Sequence, residues 1–225
     1  MAPDLKEYDE EQVRLMEEMC ILVDRDDNRY GAESKKTCHL MENINKGLLH
    51  RAFSVFLFDS QNRLLLQQRA SEKITFPDMW TNTCCSHPLS RESEIIEEKQ
   101  LGARNAAQRK LEHELGIKPE QVPLDDFKYL TRIHYVAPSD DVWGEHEIDY
   151  IFFIKADVDL DVSPNEVRDT KYVTPDELRA MFADTSVPMT PWFKLICETF
   201  LFKWWDKLET IETERDEKTI HRLGF

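Results

Sequence analysis

Apolar positions fall into two rhythms along the chain. Residues 50–59, His50-Arg51-Ala52-Phe53-Ser54-Val55-Phe56-Leu57-Phe58-Asp59, are aromatic and β-branched and predict a strand. Ser60-Gln61-Asn62 turns it, and residues 63–69 return as its hairpin partner. Residues 127–137 and 145–156 read as two more strands, joined by the turn-rich Pro138-Ser139-Asp140-Asp141. Residues 20–24 make a shorter strand ending in a turn at Asp26-Asp27-Asn28, and 167–173 make another. Helical spacing governs other segments. Residues 9–19 carry Val13, Leu15, Met16 and Met19 among Glu, Gln and Arg, with Asp9 placed to cap the first turn. Residues 103–115 are strong helix formers stopped by Gly116. The acidic 92–99 segment reads as a helix with one polar side. Thr174-Pro175-Asp176-Glu177 caps a short helix, with Pro in its first turn. Thr190-Pro191 opens the last, long helix, carrying Trp192, Phe193, Ile196, Phe200, Leu201, Trp204 and Trp205. Residues 34–49 are polar and irregular, with Gly47 as a breaker, and the tail from Glu209 is charged without a clear pattern. Strands and helices mix without strict alternation, so the expected fold class is an α/β sandwich with a mixed sheet between helices.

Composition narrows the setting. At 225 residues the chain suits one generous domain, or one domain with terminal additions. Hydrophobic content of 41% and charged content of 32% are those of an ordinary globular protein. A formal net charge of −15 argues against nonspecific nucleic-acid binding and against an anionic membrane surface. It also means that an anionic substrate needs a local basic patch or a metal ion. Cys20, Cys38, Cys84, Cys85 and Cys197 are odd in number and show no CxxC spacing, so a reducing compartment is expected. Met1-Ala2-Pro3-Asp4-Leu5-Lys6-Glu7 has no apolar signal core and is too acidic for a transit peptide. A cytoplasmic setting is therefore expected for this form, or a plastid or other organelle for a chain from which an upstream segment has been removed.

Chemistry concentrates in Thr81-Asn82-Thr83-Cys84-Cys85-Ser86-His87-Pro88. In an extended segment Cys85 and His87 point the same way. A buried thiol pair beside a hydrogen-bonded His accounts for these residues equally well. The metal-competent residues outside regular helices are His39, His50 and His87, with Glu145 and Glu147 on one side of a strand and His146 on the other. Three imidazoles and two carboxylates suit a divalent ion. Their separation in sequence favours instead an acidic, solvated strand and three unrelated surface histidines. Lys35, Arg51, Arg69 and Lys73 are the cations suited to phosphate oxygens, although Arg69 and Lys73 equally fit surface charges at a hairpin end. His113 and His134 read as structural, and the Trp192, Trp204 and Trp205 face as helix packing.

Four motifs together carry a resemblance. Leu49-His50-Arg51-Ala52-Phe53-Ser54, the Cys84-Cys85-Ser86-His87 stretch, Trp143-Gly144-Glu145-His146-Glu147 and Thr190-Pro191-Trp192 resemble the type I isopentenyl diphosphate isomerases, in that family's order and spacing from about Cys20 to Trp205. The resemblance implies a Nudix-like α/β/α sandwich with a mixed central sheet, as one domain over 1–225. An N-terminal helix-and-strand extension would cover about 1–33 and a C-terminal tail about 206–225. Residues 106–116 are similar to a degenerate Nudix box: Arg109, Glu114 and Gly116 fit, but Lys110 and His113 stand where a working hydrolase has glutamates, which counts against pyrophosphate hydrolysis.

By resemblance, Cys85 and Glu147 are the catalytic pair, with Tyr135 beside the glutamate and Trp192 over the substrate's hydrocarbon end. His39, His50, His87, Glu145 and Glu147 are implied ligands of a divalent ion (Mg²⁺, Mn²⁺ or Zn²⁺). Glu114 is implied to hold a second Mg²⁺ bridging to the diphosphate, and Lys35, Arg69, Lys73 and Ser86 to bind substrate, with a further basic contact near Lys110. The implied reaction is reversible conversion of isopentenyl to dimethylallyl diphosphate through a tertiary carbocation. No flavin, nucleic acid or membrane is implied, and the chain is expected to be a monomer or weak dimer. A Nudix-type diphosphate hydrolase and a non-catalytic, metal-stabilised binding module are the other two classes.

Overall fold

The 50–59 strand has no polar face because both of its faces are covered. In the computed structural model, which describes residues 5–224, every residue of this strand is buried. Phe56 and Phe58 enter one apolar cluster, while Phe53, Val55 and Leu57 enter another on the opposite side. Strand alternation thus feeds two cores from one uninterrupted apolar run. Met1-Ala2-Pro3-Asp4, part of the segment read for targeting, and Phe225 lie outside the described residues.

The strands, in chain order, are β1 (Met19–Val23), β2 (Arg29–Ser34), β3 (His50–Phe58), β4 (Leu64–Arg69), β5 (Trp80–Thr81), β6 (Cys84–Ser86), β7 (Lys128–Pro138), β8 (Gly144–Lys155), β9 (Val167–Val173) and β10 (Ile220–Arg222). The α-helices are α1 (Glu10–Leu15), α2 (Lys35–His39), α3 (Met41–Ile44), α4 (Leu101–Leu115), α5 (Pro175–Ala183), α6 (Pro191–Ile196) and α7 (Phe202–Trp205). One mixed sheet runs in the order β10-β7-β8-β3-β1-β2, with β3 parallel to β8 and β7 antiparallel to β8. Helix α4 covers one face through Ala106, Ala107, Leu111 and Leu115. Helices α5, α6 and α7 cover the other. A π-helical turn at Cys197–Leu201 joins α6 to α7, so the expected long helix exists with one widened turn. Among the described residues no helix is long and apolar enough to cross a membrane.

Several sequence expectations change. The 63–69 strand exists but pairs with β3 only at Phe58–Leu64, then turns to β9 and β5. The Thr83 hydroxyl wedges between the two strands: it accepts from Leu57 N at 2.8 Å and donates to Leu65 O at 2.6 Å. The edge of β3 so vacated is taken by β6. The first helix ends at Leu15, and Met19 begins β1. The irregular 34–49 stretch holds α2 and α3, and β2 precedes it. The 92–99 segment is not an α-helix. The buried Glu94 carboxylate reaches out instead, accepting from Leu89 N at 2.7 Å and from Arg109 Nε at 2.7 Å. Those bonds hold residues 92–94 against α4 as a turn, and only Glu98–Gln100 wind into a short 3₁₀ helix. The tail is ordered too, because β10 pairs in parallel with β7.

Candidate active site

Strand parity decides which side chains meet. On β8, Glu145 and Glu147 share the face of Ile151 and Phe153, the face covered by α6. Register places His50 opposite Glu147 on one side and Tyr135 opposite Glu147 on the other. His87 follows β6 in the same parity as Cys85. His39 comes from α2, whose first turn Ser34 caps through Thr37 N at 3.2 Å. One turn later His39 Nδ1 donates to the Lys35 carbonyl at 2.7 Å. That bond fixes the tautomer and turns a bare Nε2 lone pair towards the strands.

Five side chains converge there. His39, His50, His87, Glu145 and Glu147 are all buried, and one ligand atom from each lies within 4.8 Å of all the others. The imidazole rings are 4.8 to 4.9 Å apart. Glu147 Oε1 lies 2.7 Å from His87 Nε2 and 3.2 Å from His50 Nε2. His39 Nε2 and Glu145 Oε2 are 2.6 Å apart, yet neither has a hydrogen-bond partner. Two buried electron-rich atoms facing each other at that distance call for a cation between or beside them. The group could therefore hold a metal ion, and its nitrogen and oxygen donors suit a divalent one. Burial, then the neighbouring His50 and His39, hold His87 well below the usual imidazole range. Burial pushes the Glu147 carboxyl up, but hydrogen bonding with His50, then the Tyr135 hydroxyl, outweighs it and leaves it below the ordinary value. The Tyr135 hydroxyl donates to Glu147 Oε2. The expectation of a solvated acidic strand with unrelated surface histidines is overturned, because parallel β3–β8 pairing joins segments far apart in sequence.

A narrow cavity opens onto this group. Cys85, Ser86, Tyr135 and Trp192 line it together with Lys35, Arg69, Lys73, Lys110 and Glu114. Cys84, by contrast, points into the opposite core, with its thiol 3.5 Å from Glu114 Oε2. Burial pushes the Cys85 thiol up to about 12, against the pull of Arg69. Trp192 is 2% exposed, stacks on Tyr135 at 6.0 Å between ring centres, and donates to Asn82 Oδ1 at 3.3 Å. It thus belongs both to the helix-packing face and to the cavity wall. Arg69 and Lys73 are buried, not surface charges. Arg69 donates to Thr75 O at 2.8 Å and Phe76 O at 3.0 Å. Arg51 does not join them: its odd position on β3 sends it to the other face, where it donates to Asp27 Oδ1 at 2.9 Å. Glu114 lies outside the five-residue group, paired with Lys110 at 3.1 Å.

Three polar residues at or behind the cavity carried no sequence signal. Thr75 donates to Glu145 Oε1 at 3.2 Å. Glu166 pairs with Lys73, and Gln12 with Glu166. Gln12 lies in the patterned first helix, but none of the three lies beside a recognisable motif. Lys110 was legible as a lysine in a glutamate position, near which the resemblance implied a further basic contact, and it lines the cavity.

Residues 48–193 match the NUDIX domain family. Over 223 residues the chain is 64% identical to an isopentenyl-diphosphate delta-isomerase of Gibberella zeae, covering 97% of this chain and 88% of that one. It is 63% identical to the isopentenyl-diphosphate delta-isomerase of Schizosaccharomyces pombe, covering 96% of each. A solved Deinococcus radiodurans protein shares the fold at a TM-score of 0.58, with 16% identity over 82% of this chain and 100% of that one. The expected fold class and the resemblance read from the motifs hold, and the chain belongs to the isopentenyl-diphosphate delta-isomerases, built on a Nudix domain.

Proposed function

We propose that the chain interconverts isopentenyl and dimethylallyl diphosphate, with Cys85 and Glu147 as the proton-handling pair. The observation that carries this assignment is the placement of the Cys85 thiol, the Glu147 carboxylate and the Trp192 ring on one cavity that Lys35, Arg69, Lys73 and Lys110 also line. The reaction adds a proton to the terminal alkene carbon, passes through a tertiary cation and removes a proton from the methylene beside it. No net proton is consumed, so the site needs one group that carries a proton and one that lacks it. Cys85, raised to about 12, is a thiol, while Glu147, held low, is a carboxylate. Tyr135 orients Glu147. Trp192 and Tyr135, which both line the cavity, would offer π density to a transient cation and keep out the water that would trap it as an alcohol.

His39, His50, His87, Glu145 and Glu147 would hold one divalent ion (Mg²⁺, Mn²⁺ or Zn²⁺), and Glu114 a second, Mg²⁺, towards the diphosphate. Bound there, the ions supply positive charge that organises Glu147 and offsets the phosphate charge. Lys35, Arg69, Lys73, Lys110 and Ser86 would take the diphosphate oxygens. Incubating the metal-loaded protein with isopentenyl diphosphate tests the reading. Dimethylallyl diphosphate should form, and exhaustive chelation should stop it. Release of inorganic phosphate would mean a hydrolase, and no product would mean a binding module.

A further inference from the structure

The cations that face the cavity are themselves held from behind. Glu166, in the turn before β9, is 2% exposed. Its Oε2 accepts from Lys73 Nζ at 2.9 Å and lies 3.5 Å from Lys110 Nζ. Its Oε1 accepts from Gln12 Nε2 at 2.7 Å. Gln12 is itself 3% exposed and lies on α1, ahead of the residues that match the NUDIX family. The same amide donates to Asn165 O at 3.1 Å and Asn165 Oδ1 at 2.6 Å, and Asn165 Nδ2 donates to the α1 cap Asp9 at 2.8 Å. The Glu166 backbone is fixed as well: its carbonyl accepts from Ala70 N at 3.0 Å, at the end of β4. One carboxylate is thus tied to three separate parts of the chain, with its two oxygens divided between the lysines and α1.

We infer that Glu166 is a positioning residue for the diphosphate end of the substrate, gathering the Lys73 and Lys110 ammonium groups at one wall of the cavity while Gln12 holds it from α1. The inference rests on the isomerase reading of the cavity. An ammonium has three N–H donors. Each lysine gives one direction to carboxylates behind it and keeps donors for an anion in front, so Glu166 need not leave when the diphosphate arrives. Burial lowers Lys73 to about 8, with Lys35, Arg69 and Lys110 pushing the same way and Glu166 opposing them. Removing the carboxylate leaves Glu114 as the carboxylate that still acts on Lys73, against Lys35, Arg69 and Lys110, so Lys73 should shed its proton at lower pH and lose its grip on phosphate.

The test is Glu166→Gln, Glu166→Asp and Gln12→Ala in the metal-loaded enzyme. Turnover of isopentenyl diphosphate would be followed from pH 6.5 to 9, alongside calorimetric binding of inorganic pyrophosphate. In the parent, KM should rise above about pH 8 as Lys73 deprotonates. Glu166→Gln should weaken pyrophosphate binding and raise KM by roughly tenfold or more at neutral pH, with kcat within about threefold, and the upturn in KM should move to lower pH. Glu166→Asp, which keeps the charge, should return the upturn towards its parent position. Gln12→Ala should raise KM by a smaller factor without moving the upturn. Unchanged binding and an unchanged pH profile in Glu166→Gln would overturn the inference. So would losses in kcat and KM that follow the folded fraction and are not rescued by Asp. Pyrophosphate binding without turnover in the parent would sink the isomerase reading and leave the role of Glu166 standing.

Discussion

Cys84 and Cys85 share a peptide bond yet serve opposite layers of the fold. Cys84 is fully buried against α4, and Cys85 lines the cavity. Cys85→Ala should lower the isomerisation rate by roughly two to four orders of magnitude, the usual worth of a placed acid or base. Cys84→Ala should leave the rate nearly intact and cost on the order of 1 kcal/mol of stability, as expected for a small buried group removed. Turnover and thermal melts of both variants settle the assignment, and equal rate losses would refute it. Trp192 calls for a finer comparison, because it packs and lines the cavity at once. If its π face steadies the cation, Trp192→Phe should keep measurable activity, while Trp192→Leu should fall further by up to about tenfold, with KM little changed. Equal turnover in the two, or losses that simply follow unfolding, would reduce Trp192 to a packing residue.

Among the elements, α4 depends on where it stops. It carries Lys110 and Glu114 to the cavity and ends at Gly116, which has φ 70° and returns its N–H to Glu112 O. A Cβ there would lie 2.3 Å from the Asp161 carbonyl oxygen. Backbone strain and a backbone clash act together, so Gly116→Ala should destabilise the protein by more than about 1 kcal/mol, read from denaturant unfolding. This stop signal is legible in the residues alone, as are β3, β7, β8 and the capped α5, since each rests on local periodicity or capping chemistry. What local pattern could not show was pairing. The Thr83 wedge that separates β4 from β3, the bonds of Glu94 that hold 92–94 as a turn, and the docking of β10 on β7 all depend on partners distant in the chain. The site divides in the same way. Its motif residues could be named from their resemblance, whereas Glu166 and Gln12 matter only through whom they touch.

For the molecule as a whole, the C-terminal strand introduces a pH dependence. His134 on β7 is buried; its Nε2 lies 2.9 Å from His146 Nε2 and its Nδ1 2.6 Å from Arg222 Nη1 on β10. Burial, then the charges of His146 and Arg222, lowers His134 to about 4. The unfolded chain binds that proton near its ordinary value of 6.5, so between about pH 6.5 and 4 the unfolded state carries the extra proton. Stability should therefore fall as pH drops through this window. Melting temperatures measured from pH 7 to 4.5 should decline, and His134→Gln should flatten the decline. An unchanged slope would mean that His134 is not the group responsible.

Parallel pairing of β3 with β8 sets His50 beside a glutamate 97 positions away. Such a closure comes late on a folding route, after the long intervening loop has been organised. Three of the five converging side chains, His39, His50 and His87, precede α4, and the other two follow β7, so no early fragment can bring the set together. A divalent ion should then leave the refolding rate almost unchanged and slow unfolding instead, the pattern of a contact absent from the transition state. Stopped-flow refolding and unfolding with and without metal would show it. A refolding rate that climbs with metal concentration would mean that the ion seeds the sheet.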